Sequence, residues 1–180
     1  QRAYQLASEL DKFNKERQSI ETLLSKQINQ ELKKYHNHPV LVVAGSNWHE
    51  GVIGIIASRI KDKYNKPTVL ISIYDDHCKG SARSIVGFDI GAHIINAVQL
   101  GLVEKGGGHK MAGGFTIKKN RVEDFRDFLI KKYEKNNKIS SDINLYLDTT
   151  ISPSALNTEF FNEINFLSPY GSGNNEPKFV

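Results

Sequence analysis

Short apolar runs alternate with amphipathic helical stretches between residues 40 and 133, and this alternation constrains the fold more than any other feature of the sequence. Residues 40–44 form a continuous apolar run ended by Gly45, which suits a buried strand. The other predicted strands are residues 68–73, 79–84 and 113–117, and the predicted helices are residues 52–64, 90–100 and 122–133. This β-α-β order predicts an α/β domain with a mixed sheet flanked by helices.

A long helix is predicted before this domain, over residues 1–35. Leu6, Leu10, Phe13 and further apolar residues recur at helical spacing, and no glycine or proline interrupts the segment. About 30 helical residues span roughly 45 Å. Such a helix either connects two domains or packs along its own domain, and the sequence leaves both interpretations open.

The composition changes after the last of these helices. Residues 134–141 are polar and mark a candidate boundary; beyond them we predict a strand at residues 143–147, a helix at residues 154–166 and a loop at residues 168–177. The predicted domains are therefore residues 1–35, 36–139 and 140–180. The sequence starts inside a helical pattern and stops inside a predicted strand, so we expect a fragment of a longer protein.

Charge and cysteine content restrict the function classes. The formal net charge is +4, which is a weak indication of a nucleic-acid partner. The single cysteine, Cys78, excludes a disulfide framework and a cysteine-cluster zinc site. No run of 18 apolar residues is present, so no membrane helix is predicted. We expect a cytoplasmic protein.

Glycines are concentrated before and after one histidine. Gly106, Gly107 and Gly108 directly precede His109, and the segment fits neither a Walker loop nor the dinucleotide fingerprint. As a loop, successive glycines could present backbone N–H groups to an anion, with the histidine bonding a phosphate or a base. The alternative is a tight turn with a surface histidine.

Two further segments carry groups that suit phosphate or bases. In an extended strand Lys79, Ser81 and Arg83 point to one face, as a phosphate clamp would require, although a solvated edge strand shows the same pattern. Trp48 and His49 lie between a strand and a helix, where ligands bind in α/β sheets. Trp48 could stack on a base, or it could pack across the helix start while His49 caps the helix.

Metal chemistry has little support in the sequence. Asp75, Asp76 and His77 are adjacent, but they follow a predicted strand in a polar loop where solvated charge is the simpler interpretation. No cluster of Asp and His is dense enough for a two-metal site.

The ordered segments resemble the RecJ family, the single-stranded-DNA-specific exonucleases of the DHH phosphoesterase superfamily. The resemblance lies in residues 48–59 (WHEGVIGIIASR), 66–68 (KPT), 80–84 (GSARS), 107–109 (GGH) and 112–114 (AGG). By this resemblance residues 36–139 are the DHH-associated domain and residues 1–35 the segment that joins it to the catalytic DHH domain. Residues 140–180 are similar to the start of the family's OB-fold domain, which is incomplete here.

The resemblance implies 5′→3′ degradation of single-stranded DNA in repair and recombination. It implies that Mn²⁺ or Mg²⁺ is held by a DHH domain not present here, so this chain binds no metal or cofactor and is inactive alone. Ser81 and Arg83 would grip phosphates including the 5′ end, and His109 would act near the scissile phosphate. The other implied substrate-binding residues are Trp48, His49, Gly106, Gly107 and Gly108.

Three positions depart from the family pattern, and two other functions stay open. Asn175 stands where the family usually has proline, and Gly113 and Phe115 stand where it often has alanine and leucine. A DHH phosphoesterase for short oligonucleotides or cyclic dinucleotides is one alternative. A non-catalytic nucleic-acid-binding module, as in the C-terminal domain of alanyl-tRNA synthetases, is the other.

Overall fold

The computed structural model describes residues 2–136, 146–171 and 173–180. Contacts divide the chain into two compact units, Gln1–Ile139 and Ser140–Val180. None of the described helices is long and apolar enough to cross a membrane.

The first unit is built on a five-stranded sheet with strand order β1-β2-β3-β5-β4. β1 and β2 are parallel, and the other neighbouring strands are antiparallel. This arrangement confirms the predicted α/β class with a mixed sheet flanked by helices. In chain order the elements are α1 (Arg2–Leu32), β1 (Leu41–Ser46), α2 (Glu50–Tyr64), β2 (Thr68–Tyr74), β3 (His77–Arg83), α3 (Ile90–Gln99), β4 (Lys105–His109), β5 (Ala112–Lys118) and α4 (Val122–Glu134).

The two faces of the sheet carry separate apolar layers because successive side chains of a strand alternate between them. Val42 and Val69 point to the face covered by α3 and α4, where they join one buried cluster with Phe125. Leu41 and Leu70 point to the opposite face and pack with α2 and the C-terminal half of α1. On this second face the sheet beyond β3 is open, and its side chains there are available to a ligand.

Helix α1 packs on this unit over only half of its length. Leu24, Ile28 and Leu32 are buried against α2 and the sheet. Leu10 and Phe13 belong to the same apolar stripe several turns earlier, yet they are 68% and 57% exposed. The C-terminal half therefore behaves as a helix of this domain, whereas the N-terminal half presents an uncovered apolar stripe.

One buried carboxylate joins α1 to α2. Glu21 is 3% exposed, and its Oε2 forms an ion pair with Nη1 of Arg17, in the same helix, at 2.7 Å. Arg59 of α2 forms a second ion pair with the same carboxylate. Because burial of an unpaired charge is costly, the two arginines explain how Glu21 is accommodated at this contact.

Substitutions in α1 should separate its packed half from its exposed half. Ile28→Ala removes a side chain with no exposed surface, and we expect the free energy of unfolding to fall by about 2–5 kcal/mol. Leu10→Ala should change it by no more than about 0.5 kcal/mol. Urea denaturation of the two variants measures both values, and equal losses would show that the N-terminal half is also packed.

The second unit contains a 3₁₀ turn (Pro153–Ala155) and helix α5 (Thr158–Asn165). The single helix predicted over residues 154–166 is wrong in its first part, because the Asn157 side chain accepts a hydrogen bond from the Phe160 N–H at 2.9 Å and caps α5 there. Thr149 and Phe179 form an isolated parallel bridge. The strand predicted over residues 143–147 falls largely outside the described residues.

Candidate nucleic-acid interface

The three consecutive glycines lie in an edge strand. β4 pairs antiparallel with β5, and the glycines with positive φ in the described parts of the chain are Gly87, Gly101 and Gly173. The predicted loop is therefore wrong, and the anion-binding nest that depended on it does not form at Gly106, Gly107 and Gly108. A glycine run suggests a turn from sequence because glycine carries no side chain that would reveal strand alternation.

Close packing explains the need for glycine at two positions around β4. A Cβ on Gly108 would overlap the Ala112 carbonyl oxygen and lie 2.6 Å from the Gly113 Cα. A Cβ on Gly91, in α3, would lie 2.8 Å from the His109 carbonyl oxygen. β4 is thus held tightly between its partner strand and α3.

The strand register aligns three rows of side chains across β3, β5 and β4 on the open face. Directly opposed residues in antiparallel strands share a face, and rows two residues apart lie about 7 Å from each other. We name them the arginine row (Arg83, Ala112, His109), the glycine row (Ser81, Gly114, Gly107) and the lysine row (Lys79, Thr116, Lys105).

Arg83 is held by its own strand and has a free charge. Its Nη1 donates to the Ala82 carbonyl oxygen at 2.8 Å and lies 3.3 Å from the Ser81 Oγ. Within the described residues Arg83 forms no ion pair. A half-buried guanidinium without a carboxylate partner beside a hydroxyl is well suited to an anionic oxygen.

Helix α2 borders these two side chains through a glycine. A Cβ on Gly54 would lie 2.9 Å from the Ser81 Oγ and 3.0 Å from the Arg83 Nη2. The absence of a side chain at Gly54 therefore leaves the space that the hydroxyl and the guanidinium occupy.

His109 lies at the other end of the arginine row and is exposed. The Met111 N–H donates to its Nδ1 at 3.4 Å. With Nδ1 acting as an acceptor, the neutral ring carries its proton on Nε2, which can then donate to an oxygen of a ligand.

Trp48 lies in the core. The residue is 4% exposed, and a Cβ on Gly45 would overlap its ring. Its carbonyl oxygen accepts hydrogen bonds from Ser72 Oγ at 2.6 Å and from the Tyr74 hydroxyl at 3.1 Å. This burial argues against the predicted base stacking, since neither face of the ring is accessible to a base.

His49 caps α2. Its Nδ1 accepts a hydrogen bond from the Gly51 N–H at 3.2 Å, as expected of an N-cap residue. The structure therefore places His49 as the capping alternative describes. The next residue, Glu50, forms an ion pair with Lys79 of the lysine row at 2.7 Å.

Sequence similarity identifies the family of this fold. Residues 37–135 match the DHHA1 domain family. The chain belongs to this family. Over 97% of its length the chain is 31% identical to the single-stranded-DNA-specific exonuclease RecJ of Bacillus subtilis, of which it spans only 22%.

Solved structures agree with this assignment of a DHHA1 domain. RecJ from Thermus thermophilus in complex with Mn²⁺ has a TM-score of 0.80 and 28% identity over 96% of this chain and 25% of that chain. The same protein with Mg²⁺ has a TM-score of 0.77 and 26% identity over 96% of this chain and 26% of that one. The resemblance to the RecJ family is thereby confirmed.

The described residues do not fit the divalent metal of these relatives. In residues 2–136, 146–171 and 173–180 no group of three or more His, Cys, Asp or Glu side chains is placed to share an ion. His77, the exposed first residue of β3, lies 3.4 Å from the Glu104 carboxylate, and His93 packs on the Phe88 ring. Burial lowers the pKa of His93, and the nearby charge of Lys132 lowers it further, which favours the neutral ring.

Two departures of this DHHA1 domain from the RecJ pattern affect the covered face. Phe115 packs its ring over Gly80, where a Cβ would overlap it, and contacts Phe125. A Cβ on Gly113 would lie 2.5 Å from the Ile94 Cδ1. Both residues act on the face beneath α3 and α4. The three rows of side chains on the open face are therefore unaffected by these two departures.

Sequence reasoning missed Gly54, Lys105 and Thr116. Lys105 and Thr116 belong to the lysine row only because β4 is a strand, and the mistaken loop concealed that register. Strand alternation on both sides of His109 would have placed them. Gly54 gives no local signal, because its role depends on the side chains of β3 below it.

Proposed function

We propose that this chain is the substrate-binding part of a RecJ-like 5′→3′ exonuclease, and that its open face binds the phosphates of single-stranded DNA. The supporting observation is the arginine row. Arg83 has no carboxylate partner in the described chain. It lies on β3 and His109 lies on β4, on either side of Ala112 in β5, so the two strands are about 10 Å apart. Ser81 adds a hydroxyl beside the guanidinium.

The shape of the face favours a single strand bound by its backbone. Gly107 and Gly114 leave β4 and β5 without side chains in the glycine row, which allows close approach of a sugar-phosphate chain. Contacts to phosphate carry no sequence information. The proposal therefore includes binding that is independent of base sequence and decreases with salt.

Hydrolysis in this proposal depends on groups outside the chain. A divalent metal, such as the Mn²⁺ or Mg²⁺ of the relatives, would supply Lewis-acid chemistry in a DHH domain opposite the open face. His109 would support that chemistry by donating to the scissile phosphate, and the 180-residue chain alone would be inactive. The cytoplasmic location and the role in repair and recombination belong to the same proposal.

The remaining segments take the roles that the RecJ resemblance implies. The exposed stripe on the N-terminal half of α1 suits a helix that joins this domain to the catalytic domain. The second unit would begin an OB-fold domain.

Fluorescence anisotropy tests the proposal with 5′-phosphorylated and 5′-hydroxyl strands of one sequence, together with the corresponding duplex, at low salt. We expect tighter binding of the phosphorylated strand and weaker binding of the duplex. Equal binding of all three would indicate charge attraction alone and contradict the proposal. Preferential binding of a cyclic dinucleotide would favour the phosphodiesterase alternative.

Gly54→Ala should weaken phosphate binding without loss of stability. The new Cβ would push against Arg83 Nη2 and Ser81 Oγ, and we expect roughly a three- to tenfold loss of affinity for the phosphorylated strand. The free energy of unfolding should stay constant or rise by up to about 1 kcal/mol, because alanine favours a helix over glycine.

Gly51→Ala in the same helix is the control for Gly54→Ala. Its Cβ would contact only the His49 ring, at 3.3 Å, so affinity should be retained. Equal affinities of the two variants would show that α2 does not limit the position of the guanidinium.

A further inference from the structure

The lysine row and the glycine row line one cavity of about 510 Å³ on the open face. Its lining includes the three residues of the lysine row, Ser81 and Gly114 of the glycine row, and Glu50 and Ile53 of α2. The lysine row lies two rows away from Arg83, which corresponds to about 13 Å along β3. At this backbone spacing the arginine row and the lysine row can each contact a different phosphate of one strand.

We propose that the lysine row is a second phosphate-binding subsite, which holds a phosphate further along the strand whose terminal phosphate lies at Arg83. This inference rests on the proposed function, since it assumes that a strand is bound on the open face. A strand stacked at about 3.4 Å per nucleotide needs about four nucleotides to cover 13 Å, and an extended strand needs fewer. The second subsite therefore distinguishes long strands from short ones.

The charges of the cavity favour an anion chiefly at Lys105. Among the described residues, Lys105 is exposed and forms no ion pair. Lys79 is paired with Glu50, and Glu50 is the only acidic residue among the described ones that line the cavity. Removing the Glu50 charge should therefore free Lys79 and strengthen binding, whereas removing Lys105 should weaken it. Thr116 adds a hydroxyl donor between the two lysines.

On β4 and β5 the path between the two subsites is free of side chains, and Ser81 of β3 borders it. A Cβ on Gly107 would meet no atom within 4 Å, and a Cβ on Gly114 would meet only the Gly80 carbonyl oxygen at 3.8 Å. A larger residue at Gly107 would consequently project into the path without clashing with the protein. Gly107→Leu should impair binding of long strands and leave the fold intact.

The test compares 5′-phosphorylated oligothymidylates of two and of about eight nucleotides, by anisotropy over a range of salt concentrations. Lys105→Ala should lower affinity for the long strand about fivefold and reduce its salt slope by roughly 0.7–1, while binding of the dinucleotide stays unchanged. Glu50→Gln should raise affinity for the long strand. Lys131→Ala, an exposed lysine of α4, is the matched control and should change neither affinity.

Three outcomes would overturn the inference. The first is that Lys105→Ala lowers the affinity for both lengths equally, and the second is that it lowers neither affinity. The third is that Glu50→Gln lowers the affinity for the long strand. Failure of the proposed function gives a different result, because binding would then not depend on Arg83 at either length. If the unsubstituted chain binds neither oligonucleotide, both the proposed function and the second subsite are wrong.

Discussion

Replacing Arg83 with alanine is expected to lower the affinity for 5′-phosphorylated single-stranded DNA by roughly 10- to 100-fold at low salt. Hydrogen bonds to charged groups contribute about 1.5–3 kcal/mol each, and no carboxylate in the described chain competes for this guanidinium. Its bonds within the protein go to Ala82 and Ser81 of its own strand, so the stability should change little. Anisotropy and urea denaturation measure the two effects separately.

Two variants define what the Arg83→Ala result means. Arg83→Lys keeps the charge but loses the planar fork, so its affinity should lie between those of the other two proteins. Arg121→Ala removes an exposed arginine that pairs with Asp124 at 2.7 Å, and should alter affinity less than about twofold. Equal affinities of Arg83→Ala and Arg121→Ala for the phosphorylated strand would contradict a phosphate site at Arg83.

Gly108→Ala is expected to lower the free energy of unfolding by about 3 kcal/mol or more. The added Cβ would meet the backbone of the paired strand at Ala112 and Gly113, which cannot move without breaking the pairing of β4 and β5. Flexible side chains yield to such a Cβ at small cost, but a paired backbone does not. Urea denaturation measures the loss.

Gly107→Ala is the matched control for Gly108→Ala. Its Cβ would enter open space, and the variant should be as stable as the natural sequence or about 0.5–1 kcal/mol more stable. If the two variants have equal stability, residues 105–109 are not the paired strand described above, and the loop predicted from the sequence is correct.

The element order and the shared face of Ser81 and Arg83 follow from the sequence, but the strand at Gly106–Gly108 does not. Apolar periodicity identified the strands and helices that bury side chains, and alternation placed Ser81 and Arg83 on one face. A glycine strand shows neither signal, and although β5 is predicted as a strand, its pairing with β4 follows only from the structure. The RecJ resemblance identified the segment as important without revealing its conformation.

Orientation and burial were equally beyond local patterns. Trp48 is adjacent to the helix start in either interpretation, and the space above Gly45 decides that its ring turns inward. Along α1 one apolar stripe runs through Leu10 and Ile28, yet only the second is covered. Periodicity predicts which face of a helix is apolar, while the neighbouring elements determine where that face is buried.

Mapping of amide chemical shifts during titration with a 5′-phosphorylated single strand tests the central claim most directly. We expect the largest changes on the open face, at Ser81, Arg83, Gly107, Gly114 and the start of α2, with α4 unaffected. Largest changes on the face covered by α3 and α4, or small changes spread over all exposed lysines, would contradict a phosphate-binding site on the open sheet.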